Sequence, residues 1–524
     1  MGLMKFMNQW KFKQPNQYAT TNQSKASSDR PLRPSLQDNL AKFRQALHDS
    51  PDIVIRELDF GESHSTPAAL LYVSGLVDQD YVNQFIIAPL LSAAKAPEAR
   101  IIDIFNQHVM PIGGIHEADD FDALLTGLLS GETVFLCEGY NRGLLIGSKG
   151  GESRGIEEPT SQSVIRGPKD GFTESLMTNV SLIRRRIASP DLWSEQYRIG
   201  HVTKTKVAIF YLHGKASMQL IEEVRARLAR IDIDGILESG YIEEWIQDNP
   251  HSVFPTVFNS ERPDVITAGL LEGRVAIVVD GTPFVLLVPA LFTHFFQAAE
   301  DYYQRYDVST LIRWLRYFGF GIALLGPSLY IAITTYHHDM LPPQLLISLS
   351  AQREGIPFPA FIEALMMELT FELLREAGIR LPRAVGQSIS IVGALVIGQA
   401  AVQAGIVSAA MVIVVSITAI ASFTMPSYNF GISIRILRFL MMGLAACLGL
   451  FGIVAGVIML IQHLCNLRSF GTPYMSPFSP VQPSKYKDTL IRAPWQLMRR
   501  QQGAIHNDGS IDNRSDLTEA GERE

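Results

Sequence analysis

The run YFGFGIALLGPSLYIAITTY, residues 317–336, carries no charge along its whole length. As a helix it is about 30 Å long, the thickness of a bilayer's hydrocarbon core. Three more apolar runs follow. Residues 384–404 (AVGQSISIVGALVIGQAAVQA) and 406–425 (IVSAAMVIVVSITAIASFTM) are separated only by Gly405, which predicts two spans joined by a tight turn. Residues 436–464 make a fourth, in which Gly443, Gly449, Gly452 and Gly456 offer small surfaces for close helix packing. These runs predict an α-helical transmembrane domain over 307–465.

The rest of the chain is not membrane-like. With 524 residues, 47% hydrophobic and 19% charged, the protein is too apolar for an ordinary soluble chain and too charged to lie in lipid throughout. It must divide into a wet part and a lipid part. A net charge of -7 argues against nucleic-acid binding. Cys137, Cys447 and Cys465 are odd in number and widely spaced, so neither a disulfide framework nor a zinc site is expected. The first thirty residues hold no continuous apolar core, so no cleaved signal is expected and the N-terminus is placed in the cytoplasm.

Residues 1–34 are rich in Gln, Asn, Ser and Thr and predict a disordered polar tail. From 35 to 306, short apolar runs alternate with helical patterns. Ala69–Val77, Lys206–Gly214 and two segments within Glu132–Ser148, turning at Asn141, predict strands, and Gln219–Ile231 predicts a helix. RVAIVVDGTPFVLLVP predicts a hairpin around Asp280 and Gly281. The expected fold is a two-lobed α/β cytoplasmic domain, with lobes 35–150 and 151–306 divided within the Gly-, Pro- and charge-rich stretch 150–171. Residues 466–524 form a Pro-rich tail, basic and then acidic.

Among the apolar runs lies PFPAFIEALMMELTFELLREAGIRLP, predicting an amphipathic helix over 357–378. On a helical wheel Glu368, Glu372 and Glu376 form one acidic stripe, with Glu363 nearly opposite and leucines around the rest. Ionisable groups at membrane depth face water or a partner. Two readings stand: a stripe lining an aqueous cation path, with Ile362, Leu365 and Leu369 as gate positions, or an interfacial helix whose glutamates meet solvent or pair with Arg375 and Arg380. Basic residues before the first span (Arg305, Arg313, Arg316) and after the last (Arg468 to Arg500) put both termini in the cytoplasm. That requires an even number of crossings, so four spans fit if the 357–378 helix does not cross, and five result if it does.

Catalytic, cofactor and metal sites are not expected. GLLIGSKGG at 143–151 is one residue short of a phosphate-binding loop, and His337, His338 and Asp339 are adjacent residues whose side chains diverge. No nucleophile and base set stands out, so the chain is not expected to be an enzyme.

The runs 166–187, 261–292, EDYYQRY (300–306) and 353–409 resemble the GerA-type spore germinant receptor A subunit, over roughly residues 36–480. The resemblance implies a multi-pass protein of the spore inner membrane. It would act with a transporter-like B subunit and a lipoprotein C subunit to sense a small nutrient germinant and release monovalent cations. It also implies a homo-oligomer with the 357–378 helix near its conduction path. Glu157, Glu158, Arg166, Arg184, Arg262, Asp264, Arg274 and Asp280 lie in or beside the matching runs, either as charges that rearrange between lobes on signalling or as fixed structural pairs. The alternatives are a paralogue accompanying the dipicolinate channel and a secondary ion-coupled transporter.

Overall fold

The computed structural model describes residues 31–60, 66–93, 114–150, 158–159, 162, 164–380 and 398–498. The residues fall into two compact units: 1–43, 55–72 and 81–148 in the first, and 44–54, 73–80 and 149–524 in the second. The expected polar tail, up to residue 30, and the acidic end from 499 lie outside the described residues.

The first sheet is built from β1 (Ile53–Phe60), β2 (Thr66–Val73), β3 (Ile115–Ala118), β4 (Thr133–Cys137) and β5 (Gly143–Ile146), in the order β1-β2-β4-β5-β3. Helix α1 (Leu36–Leu47) precedes it and α2 (Phe121–Leu129) stands between β3 and β4. In the second unit, α3 (Leu176–Arg186) precedes β6 (Leu192–Ile199) and β7 (Thr205–Leu212). Then come α4 (Met218–Ala229), α5 (Ser239–Ile246), β8 (Phe258–Ser260), α6 (Pro263–Leu271), β9 (Val275–Val279) and β10 (Val285–Val288). Their order is β6-β7-β9-β10-β8. Every pairing whose register is defined is antiparallel, so these sheets are ribbons returned by helices, not doubly wound parallel sheets.

The two sheets have one topology because the chain carries one motif twice. TGLLSGETVFLCEG (126–139) corresponds to AGLLEGRVAIVVDG (268–281). Gly127 of α2 lies so close to Leu145 that a Cβ would stand 2.3 Å from its methyl, and Gly269 of α6 meets Leu287 at the same 2.3 Å. Each helix needs glycine there to seat on its sheet. The next glycines also correspond, Gly131 with Gly273 and Gly139 with Gly281, all at positive φ. Glu138 accepts the N–H of Leu36, the first residue of α1, and Asp280 accepts that of Leu176, the first residue of α3. Asn39 pairs with both backbone groups of Arg33, and Asn179 with both of Thr173.

Beyond the second sheet run α7 (Tyr306–Tyr336), α8 (Pro343–Arg353), α9 (Ala360–Arg380), α10 (Ala409–Ser422) and α11 (Tyr428–Asn466). Among the described residues, α7 and α11 are long and apolar enough to cross a bilayer, and α10 is a shorter apolar helix. The run expected as one span over 436–464 is folded back on itself. Gly449 takes φ 61° and ψ -141°, breaking α11 into an outgoing and a return arm. Gly456 consequently lies against Met441, and Phe254 touches both Phe430 and His463 with ring centroids 5.9 and 6.2 Å away. The sequence pattern missed this because apolar character runs unbroken through the turn, and a glycine in such a run also fits simple packing.

Helix directions follow from contacts. Tyr336 at the far end of α7 donates to the carbonyl of Ala446 beside the hairpin apex, while both arms reach Ser252 and Val253 in the segment before β8. Helix α10 descends beside α7, with Ser408 near Tyr330 and Ala421 and Thr424 near Gly319. Helix α9 runs the same way, meeting Ser408 through Glu363 and Ser422 through Arg375. Gly405 is back beside Gly355 on the apex side. Of the expected span 384–404, Gly398–Gln403 is helical and 381–397 lie outside the described residues. The core is continuous from sheet to bundle, for Phe295 stacks on Phe430 at 5.3 Å within one cluster that also holds Ile266, Leu324 and Tyr474. The boundary expected at 306 is thus a change of element type without a break in packing.

One group makes the second unit sensitive to pH. Glu243 on α5 accepts a hydrogen bond from Asn259, yet burial, helped by nearby Glu238, pushes its carboxyl up to about 7. The folded protein then binds a proton that the unfolded chain has lost, so stability falls as pH rises from the ordinary carboxylate range through about 7. Glu243→Gln is expected to stabilise the protein by about 1–3 kcal/mol at about pH 8 and to change little at about pH 4, as read by thermal unfolding at both pH values.

Candidate functional site: buried charge clusters

A single helical turn, Glu300–Tyr303, joins the second sheet to α7. Its four consecutive side chains reach different partners because they point in different directions around the turn. Glu300 accepts the backbone N–H groups of Ile165 and Arg166 at 2.9 and 3.2 Å. Asp301 takes Arg313 Nε at 2.9 Å and Arg316 Nη1 at 2.8 Å, all three buried. The Tyr302 hydroxyl donates to Asp488 at 3.0 Å, and the Tyr303 hydroxyl donates to Asp264 at 2.6 Å. Burial is the main cause that pushes both hydroxyls well up, and burial also raises the Asp488 carboxyl.

Asp264 ties this turn to α6. Arg262, the residue before that helix, holds Asp264 through Nε at 3.0 Å and Nη2 at 2.6 Å. The same guanidinium reaches the carbonyls of Gln162 and Pro168, so the linker is anchored to the second sheet. At Gly167 a Cβ would stand 2.7 Å from the Tyr303 ring, which leaves room only for glycine. On the other side, Arg313 binds the Asp488 carboxylate and its carbonyl, so the segment after the return arm is strapped across the start of α7.

The other expected lobe-joining charges lie as follows. Arg184 is buried and makes a two-pronged pair with Asp52 at 2.7 and 3.1 Å, inside the second unit. Arg274 pairs with Glu272 at 2.6 Å and touches His294, whose imidazole burial and Arg274 hold well below the usual range. Asp280 accepts the N–H of Leu176 at the start of α3, and Glu158 makes an exposed pair with Lys169. Arg166 is engaged through its backbone N–H, and Glu157 lies outside the described residues.

Within the bundle, the acidic stripe of α9 meets the outgoing arm. Glu368 and Arg438 are both fully buried and pair at 2.6 Å. Glu372 pairs with Arg435 at 2.8 Å and with Arg375 at 3.6 Å. Arg375 is held between the rings of Phe371 and Phe423. Glu376 pairs with Arg380 at the surface. Three arginines thus face two glutamates in the buried part. Ile362 and Leu365 are half-buried, whereas Leu369 is exposed. The sequence reading did not find Arg435 and Arg438 as partners, although an arginine inside an apolar run is a signal for a buried acidic partner.

The second copy of the duplicated sheet motif is joined through buried ion pairs to α7, one of two helices among the described residues long and apolar enough to cross a bilayer. The chain belongs to the GerA family of spore germination proteins: the profile described as Bacillus/Clostridium GerA spore germination protein matches residues 41–503. It is 48% identical over 480 residues to spore germination protein KA of Bacillus subtilis (strain 168), covering 92% of this chain and 88% of that one. Identity to the uncharacterized membrane protein YfkQ of the same organism is 45%, over 91% and 92% of the two chains. Spore germination protein GerLA of Bacillus cereus is 39% identical, over 89% and 95%. The crystal structure of the N-terminal domain of the A subunit of the Bacillus megaterium spore germinant receptor GerK3 matches 50% of this chain and 97% of its own. Its sequence identity is 38% and its TM-score 0.40.

Breaking the Glu368–Arg438 pair isolates a charge in an apolar bundle. Arg438→Met is expected to destabilise by about 3–5 kcal/mol, and adding Glu368→Leu should recover most of the loss. Melting temperatures of the purified single and double variants in detergent check this, and equal losses would show that the pair is not the cause.

Proposed function

We propose that this protein is the A subunit of a nutrient germinant receptor of the spore inner membrane. It works with a transporter-like B subunit and a lipoprotein C subunit, and nutrient sensing ends in the release of monovalent cations. Several copies assemble around a shared path, with α9 beside it. The observation carrying this reading is the family match over residues 41–503 combined with the placement of α9, which runs along the bundle and leaves Leu369 and Leu373 exposed. Glu368 and Glu372 couple α9 to the hairpin, while Leu369 and Glu376 are the positions available to a path between copies.

The same reading bears on the count of crossings. Counting α7, α9, the 384–404 run, α10 and the two arms of α11 gives an even number, so both termini stay on the cytoplasmic side with α9 crossing fully. Cys447 beside the hairpin apex and Cys465 at the foot of the return arm are both exposed. Cys447 is expected to react with an impermeant thiol reagent in intact cells and Cys465 only after permeabilisation. The reverse pattern would overturn the hairpin topology.

For the path itself, Leu369→Ala is expected to raise cation release without nutrient and Glu376→Gln to reduce nutrient-triggered release, since a negative field concentrates cations. Release from spores carrying each variant, normalised to receptor abundance, is the measurement. Wild-type release in both variants would remove α9 from the path.

A further inference from the structure

Between Asp307 and Gly319 the exposed side chains of α7 are all apolar or aromatic: Val308, Leu311, Trp314, Leu315 and Phe318. At 100° per residue they fall within roughly 120° of one another, on one face of the helix. Arg313 and Arg316 lie on the opposite side, buried and bound to Asp301. In the sequence these arginines read as the cytoplasmic flank of the span, yet they turn their charge inward and leave the outer face apolar. Below Val308 the character changes at once, for Arg305 and Asp307 form an exposed pair. In the other direction the same face runs on through Leu329 to Tyr336, both exposed.

Length gives this face its depth. The uncharged run 317–336 matches the hydrocarbon core alone, whereas Val308 to Tyr336 is about 42 Å of helix, the thickness of a bilayer with its headgroup layers. The strap widens the lower end. Trp314 Nε1 donates to the Leu490 carbonyl at 2.9 Å and the Arg492 N–H donates to Thr310 Oγ1 at 3.1 Å, so residues 490–492 lie along the Thr310–Trp314 turn. Ile491 and Trp495 are exposed beside it, while the Arg492 guanidinium is buried and lies over the rings of Tyr302 and Trp495 at 5.8 and 4.9 Å. Indole rings gather at the headgroup level of membranes, where a large apolar body and one polar N–H are both accommodated.

We propose that the first turns of α7, together with Ile491 and Trp495 of the strap, form a lipid-binding surface seated among the headgroups and first acyl carbons of the bilayer. The inference rests on the reading of α7 as a membrane helix. Its occupant is lipid and not a second copy of the chain, because the face is continuous with that of the uncharged run, stops at the exposed Arg305–Asp307 pair and is edged by two exposed indoles. Residues 490–495 are then no free cytoplasmic tail. The strap is held between lipid on one side and, through Asp488, Arg313 on the other.

The test is nitroxide accessibility in the full-length protein, its three cysteines replaced by alanine, in phosphatidylcholine vesicles. Labels are placed at Leu311→Cys and Trp495→Cys, with Leu329→Cys as the bilayer reference and Val202→Cys, exposed in the β6–β7 turn, as the water reference. At Leu311 and Trp495 the ratio of collisions with oxygen to collisions with a water-soluble nickel chelate is expected to be severalfold above that at Val202 and below that at Leu329. A water-like ratio at either position, with Leu329 lipid-like, would overturn the proposal alone. A water-like ratio at Leu329 as well would overturn the membrane reading of α7 and the proposal with it. Low collision rates with both reagents, accompanied by spin–spin broadening, would show a second copy on the face and also overturn it. Should a labelled variant fail to fold, tryptophan fluorescence in vesicles of phosphatidylcholine brominated near the carbonyl keeps the surface testable. Wild type should be quenched, and most of that quenching should be lost when Trp314→Phe and Trp495→Phe are combined. Absent quenching, or quenching unchanged in the double variant, would count against the assignment.

Discussion

The Asp301 carboxylate, shared by Arg313 and Arg316 and buried with them, fixes the point where the second sheet hands over to the first long helix. Two guanidinium groups on one carboxylate leave an excess positive charge in a dry place, and the structure offsets it with Asp488 from a segment far along the chain. Removing any member strands a charge, so the members hold or fail together. The neighbouring Tyr303 extends the same contact set through Asp264 and Arg262 to the linker. Sheet, linker, first helix and C-terminal strap are therefore one mechanical joint. A small movement at one of these four places has to be absorbed by the others, because buried ion pairs exchange between discrete arrangements and do not stretch.

The repeated motif explains why that joint sits where it does. Both copies use an acidic residue at the sheet's turn to start a helix, Glu138 for Leu36 and Asp280 for Leu176, and both use an asparagine to close the segment before that helix. The residue preceding the second helix of the motif differs, being Asp120 in the first copy and Arg262 in the second. Only the second copy thus acquires the guanidinium that reaches Asp264 and the linker. Two copies of one scaffold have taken different charged contacts while keeping their packing glycines.

Much of this was legible in the sequence. The strands at 133–137, 143–146, 205–212, 275–279 and 285–288 follow their apolar runs and turn glycines closely, because short buried strands announce themselves locally. The long helix α7 was equally plain. The repeat was missed although it is printed in GLLSG and GLLEG, since each stretch had been read for its own element. Pairing across the bundle was beyond local patterns: the helical wheel put Glu368, Glu372 and Glu376 on one side but had no means of saying that Arg435 and Arg438, more than sixty residues later, would face them. Glu363 stood out only as the residue opposite the stripe, and its hydrogen bonds to Ser408 are a contact between helices that no local pattern shows.

The fold at Gly449 has a topological consequence. Because the return arm ends at Ser252 and Phe254, and Asp488 then binds Arg313, the chain from the start of α7 to the strap closes on its own starting point. Such a closed circuit obeys parity: one additional crossing anywhere in it would carry Asp488 to the far side of the bundle, out of reach of the arginine it neutralises. Insertions that add helices the length of the bundle are therefore tolerable only in pairs. A substitution straightening Gly449 into continuous helix would act as such an insertion, changing the address of every residue after it without altering one of them.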